Sequence, residues 1–140
     1  GAISVQSTSV FTMTGGTIKS GTAPLAPCVY LGSNAKVILS GDAKVDNIYI
    51  DGTPKDRLTI KGVYTGSVEL TAKTEITAGT AVATADNADI SGATISVAGK
   101  SLAASVSGAT IVVGEGSWCE ACQKKKCRRN LCFCLIGTSR

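Results

Sequence analysis

Ser91-Gly92-Ala93-Thr94-Ile95-Ser96-Val97 returns sixteen residues later as Ser107-Gly108-Ala109-Thr110-Ile111-Val112-Val113. Looser versions stand upstream at Phe11-Thr12-Met13-Thr14-Gly15-Gly16-Thr17-Ile18, at Val37-Ile38-Leu39-Ser40-Gly41-Asp42-Ala43-Lys44-Val45 and at Leu58-Thr59-Ile60-Lys61-Gly62. Each is a short alternating run of β-prone residues broken by glycine. A phrase repeated on this scale predicts stacked coils rather than one closed sheet. A single coil cannot bury its inward row of Val, Ile and Leu. Stacking aligns those rows and lets the backbone of each coil pair with the next.

Composition agrees with many short strands. Hydrophobic residues make up 44% of the 140, but aromatics only 4%, so the core is aliphatic. Gly, Thr and Ser are abundant, and β-branched side chains pack well on a pleated surface. Alternation is clear at 10–18, 36–45, 58–60, 68–70, 90–97 and 106–113. The Ala-rich segment 80–89 is left unassigned. Intervals between the phrase glycines are 26 residues (Gly15 to Gly41), 21 (to Gly62), 30 (to Gly92) and 16 (to Gly108). A solenoid with turns of variable length gives such intervals, and about five rungs fit into residues 1–113. An antiparallel β-sandwich is the alternative that the same alternation allows.

Charge divides the chain in two. Residues 1–113 carry eight Lys/Arg and eight Asp/Glu, whereas 114–140 carry six against two, so the whole net charge of +4 lies in the tail. Five of the six cysteines lie there too. The organisation is therefore a neutral repetitive body, 1–113, joined to a basic Cys-rich tail, 114–140. No run of apolar residues is long enough to span a bilayer as a helix. The chain opens on Gly1 with neither an initiator Met nor a leader-like start, which reads as a processed protein or an excised piece.

The wording of the phrases resembles one kind of protein. The segment 11–18, then Val29-Tyr30-Leu31-Gly32, Ala35-Lys36-Val37-Ile38-Leu39-Ser40-Gly41 and Asn47-Ile48-Tyr49-Ile50-Asp51-Gly52, is similar to bacterial adhesin-like surface proteins built of right-handed parallel β-helix repeats. The resemblance covers about residues 9–113. It departs at Ala26-Pro27-Cys28, where a glycine pair is expected, and wholly after 114. It implies a right-handed parallel β-helix at the cell surface or secreted. Its expected work is non-catalytic: contact with glycans, matrix or partner proteins, with self-association a further expectation.

Catalysis has little to stand on. The chain has no histidine, which removes the commonest general base and metal ligand. Asp42, Asp46, Asp51, Asp56, Lys55 and Arg57 are the local candidates for a carbohydrate-active β-helix enzyme, the rival from another class. The simpler reading of Asp51-Gly52-Thr53-Pro54-Lys55-Asp56-Arg57 is a solvated charged turn. No cofactor is expected.

The tail spaces its cysteines as C-x2-C-x4-C-x4-C-x-C, and four readings stay open. Cys119, Cys122, Cys127, Cys132 and Cys134, with Cys28, make six thiols, enough for three disulfides in an exported cap over the last rung. Cys28 reads equally well as a buried free thiol. Cys119-x2-Cys122 with Cys127 and Cys132 or Cys134 is the outline of a zinc site, the one metal entertained. Lys124, Lys125, Lys126, Arg128 and Arg129 among apolar residues suit a membrane surface or polyanion; no nucleic-acid fold accompanies them. Finally, the abrupt change of composition fits a shifted reading frame.

Overall fold

A computed structural model describes residues 3–20 and 28–115; residues 116–140 of the basic tail, with Cys119 to Cys134 and Lys124 to Arg129, lie outside them. The chain forms twelve strands and, among the described residues, no helix. In order they are β1 (Ile3–Val5), β2 (Val10–Met13), β3 (Thr17–Ile18), β4 (Val29–Leu31), β5 (Lys36–Gly41), β6 (Lys44–Ile50), β7 (Leu58–Tyr64), β8 (Ser67–Ala72), β9 (Ala81–Asp89), β10 (Thr94–Val97), β11 (Leu102–Ser107) and β12 (Thr110–Glu115).

The strands alternate between two sheets as the chain winds. Sheet A runs β1-β4-β6-β8-β10, with β3 also on β6; sheet B runs β2-β5-β7-β9-β12-β11. Every pairing from β1 to β10 is parallel and joins equivalent positions of successive coils. This is a β-solenoid of about four turns, one fewer than the glycine phrases suggest. A sandwich would need antiparallel neighbours throughout, so the ladders set that alternative aside.

Alternation decides which side chains go inside. In sheet B the column Met13–Leu39–Ile60–Ala85 points inward, and all four are buried. In sheet A the matching columns are Val29–Ile48–Leu70–Val97 and Val45–Val68–Ile95. The core is a stack of aliphatic layers, as the low aromatic content requires. Tyr64 is the exception: it is fully buried, and its hydroxyl donates to the carbonyl of Ala43 at 2.8 Å.

The irregular period has three sources. Between Ile18 and Val29 the first coil carries ten residues; two, Asp46 and Asn47, stand between the equivalent Val45 and Ile48 of the next. Sheet A shifts register there, so that Asp46 and Asn47 face the single Glu69 of β8. Sheet B has its own shift after Leu39, Ile60 and Ala85. Two residues beyond each of these stand Gly41 (φ 63°), Gly62 (φ 63°) and Asn87 (φ 51°), all left-handed. The corner needs a positive φ, which glycine adopts freely and asparagine tolerates. The true successor of Gly62 is therefore Asn87, not Gly92. The Ala-rich segment left unassigned is β9, the fourth inner strand of sheet B.

The two copies of the repeated phrase do different jobs. Thr94–Val97 forms β10, parallel to β8. Thr110–Val113 falls in β12, which is antiparallel to both β9 and β11. After β10 the chain skips a level, lays down β11, turns through Gly108 (φ 60°) and returns as β12 into the place beside β9. In place of the expected fifth rung stands a hairpin, the last element among the described residues.

Candidate functional surface

Outward positions also form columns, because parallel coils bring like positions side by side. Sheet B presents Thr12–Ile38–Thr59–Thr84–Thr110. Sheet A presents Ser4–Tyr30–Tyr49–Thr71. Tyr30 and Tyr49 each sit between two buried aliphatic neighbours, Val29 and Leu31 or Ile48 and Ile50, so alternation turns both rings outward. Their centroids are 5.6 Å apart and their planes 5° from parallel, an offset stack that is half-buried. The next residue in the column is the small Thr71.

Polar groups border this stack. Asn47 Nδ2 donates to Glu69 Oε1 at 3.1 Å and to Thr71 Oγ1 at 3.2 Å. Asp46 Oδ2 accepts from the backbone N–H of Ser20 at 2.8 Å. A shallow groove of about 160 Å³ runs beside them, lined by Asp46, Ser67, Glu69, Thr94 and Ser96 over Val45 and Val68. The surface thus joins one aromatic step to amide, carboxylate and hydroxyl groups held by the backbone of adjacent coils.

The candidate catalytic residues are distributed differently. Asp42 is in the turn between β5 and β6, Asp46 on the outer side of β6, Asp51 at its end, and Lys55 and Asp56 in the turn before β7. Asp51 pairs loosely with Lys73 at 3.9 Å. Among the described residues no three His, Cys, Asp or Glu side chains gather in a metal-holding group.

Arg57 departs from the solvated turn. It is only 9% exposed. Its Nε donates to Ala35 O at 2.5 Å, Nη1 to Asp51 O at 3.0 Å, and Nη2 to Leu31 O at 3.4 Å and to Gly32 O. The guanidinium fork therefore ties together carbonyls from two coils at a corner, two of which, those of Leu31 and Gly32, also accept the backbone N–H groups of Asp51 and Ala35. Its role is architectural.

Cys28 is fully buried at the base of the long first-coil insertion. Its Sγ accepts from the N–H of Asn47 at 3.1 Å and lies 3.0 Å from that residue's carbonyl oxygen. Its five companion cysteines are outside the described residues. Asp89 closes a small turn, accepting from the backbone N–H and hydroxyl of Ser91 at 3.0 and 2.8 Å. Those two bonds hold its carboxyl below the ordinary range.

The pairing of Tyr30 with Tyr49 is not evident from the sequence. The available signal was a shared pattern, an aliphatic residue on each side of Tyr, at an interval of 19 residues. Comparison with protein-family models, with curated proteins and with solved structures found no match to this chain.

Proposed function

We propose that the solenoid body is a non-catalytic binding module of a cell-surface or secreted adhesin-like protein, and that the outer face of sheet A takes up glycan. The observation that supports this reading is the in-register Tyr30–Tyr49 stack bordered by Asn47, Glu69 and Thr71. A sugar ring has an apolar C–H face and a rim of hydroxyls. An aromatic ring beside small residues offers the first a surface, and fixed amide and carboxylate groups offer the second its hydrogen bonds. The backbone of adjacent coils holds these groups in place, which limits the ordering that accompanies binding.

Binding of the full chain to a panel of soluble polysaccharides, read by isothermal titration, tests the proposal. Tyr49→Ala and Tyr30→Ala each weaken the best ligand about three- to tenfold, with unchanged circular dichroism. Binding indifferent to both substitutions, or no binding to any polysaccharide, refutes it.

A further inference from the structure

The outer face of sheet A steps down beyond Tyr49. Stacking turns one face of each tyrosine ring onto the other and leaves the outer two faces of the pair. The outer face of Tyr49 looks toward the level of Thr71 and, beyond it, of Ala98, which follows the register pair Val97–Leu70. At these levels the outward residues of β8 and β10 are small apart from Glu69: Ser67 stands with Thr94, Glu69 with Ser96 and Thr71 with Ala98. They form a shelf along the two strands, walled by Asp46 and Tyr49 of β6. Two hollows of about 160 Å³ each lie on it. One is the groove beside Asp46 and Glu69; the other is lined by Thr71, Ala72, Glu75, Ile76, Ala98 and Lys100. Glu69 and Thr71 are two residues apart on one strand, about 7 Å. Asn47 Nδ2 bonds to both, so its amide is the saddle between the hollows.

We infer that the glycan is an uncharged chain lying along β8, across the solenoid axis, with the outer face of Tyr49 against it; this rests on the glycan reading above. At about 3.3 Å per residue, β8 from Ser67 to Ala72 spans roughly 17 Å, room for several sugar rings in a row. Tyr49 supplies the apolar contact at the middle of that span. Tyr30 backs the Tyr49 ring and does not itself meet the chain. The hydroxyls of Ser67, Thr94 and Ser96 and the carboxylates of Asp46 and Glu69 offer hydrogen bonds to sugar hydroxyls along one hollow. Charge selects against a polyanion. That hollow has two carboxylates and no basic lining residue; Lys44 stands at its margin, beside Ser67 in register. In the second hollow the ammonium of Lys100 already donates to Glu75 Oε2 at 3.0 Å and to Ile76 O at 2.6 Å. Lys73, past the end of β8, is 3.9 Å from Asp51. A uronate or sulfate on the chain meets carboxylates where a sugar hydroxyl donates to them.

Isothermal titration of the full chain tests the inference, with soluble β-glucan, mannan and xylan as probes, each beside its carboxymethylated form. The neutral form of the tightest-binding probe is expected to bind about tenfold tighter than its carboxymethylated form at low salt, with the gap narrowing as salt rises. Ser96→Trp fills the shelf from β10 and weakens neutral binding about tenfold or more, with unchanged circular dichroism. Thr12→Trp, on the outer face of sheet B, leaves binding unchanged. Glu69→Lys gives a second readout: the carboxymethylated form then binds as well as the neutral one or better. Three results overturn the inference and leave the glycan reading standing: binding that needs Tyr49 but ignores Ser96→Trp, equal binding of the two forms, or a Glu69→Lys chain that keeps the neutral preference. Absence of binding to every probe overturns both.

Discussion

Replacing Arg57 by Met keeps most of the buried stem and removes the guanidinium fork. Four carbonyls, those of Ala35, Asp51, Leu31 and Gly32, lose a charged donor together. A hydrogen bond to a charged group contributes about 1.5–3 kcal/mol, and a buried carbonyl left alone costs about 1–3 kcal/mol. The full sum is not reached, because the carbonyls of Leu31 and Gly32 keep the backbone N–H groups of Asp51 and Ala35, and the Leu31 contact is long. A net loss of about 3–5 kcal/mol is expected, the range for breaking a buried charged network. With a urea slope near 2 kcal/mol per molar, the unfolding midpoint falls by roughly 2 M. Arg57→Lys recovers only part of this, since a single ammonium cannot span carbonyls on two coils. Hydrogen exchange should show the loss first at the corners around Leu31–Ala35 and Asp51–Leu58. A midpoint shift below about 0.3 M for Arg57→Met, the scale of an ordinary surface substitution, would falsify the architectural role and restore the solvated turn.

Gly66→Ala places a methyl on the carbonyl oxygen of Ala43 and 2.9 Å from the Tyr64 ring, so backbone must move; thermal melting should show a loss of about 3 kcal/mol, against about 1 kcal/mol for Gly79→Ala, which meets nothing but has φ 92°. Asn87→Gly should be nearly neutral and Asn87→Val should cost about 1–2 kcal/mol, because a β-branched residue is disfavoured at φ 51°; equal effects would remove Asn87 from the left-handed corner. Burial pushes the Tyr64 phenol well above its ordinary value near 10. The neutral form is the one the fold keeps, so this contribution is complete below about pH 10 and declines as pH rises above it. Tyr64→Phe removes that alkaline dependence and costs about 1 kcal/mol at neutral pH for the lost bond to Ala43; a pH-stability profile unchanged by the substitution refutes the assignment.

Much of the architecture was legible in the chain. Period-two alternation and recurrent glycines identified strands and stacked coils, because inward aliphatic rows are a local pattern that only stacking can bury. The residues of the core columns, such as Leu39, Ile60, Val45 and Val68, followed from the same alternation. Tertiary structure decided what repetition could not. Identical phrases became a parallel rung at Thr94–Val97 and a returning hairpin strand at Thr110–Val113, since direction depends on which edge is free when the chain arrives. Asn87 took a glycine's corner because the coil requires a backbone angle, not a residue name. Arg57 looked like a surface charge and turned inward, because two coils brought four carbonyls within reach of one fork. The Tyr30–Tyr49 stack arose in the same way: register between coils placed two separate aromatics face to face.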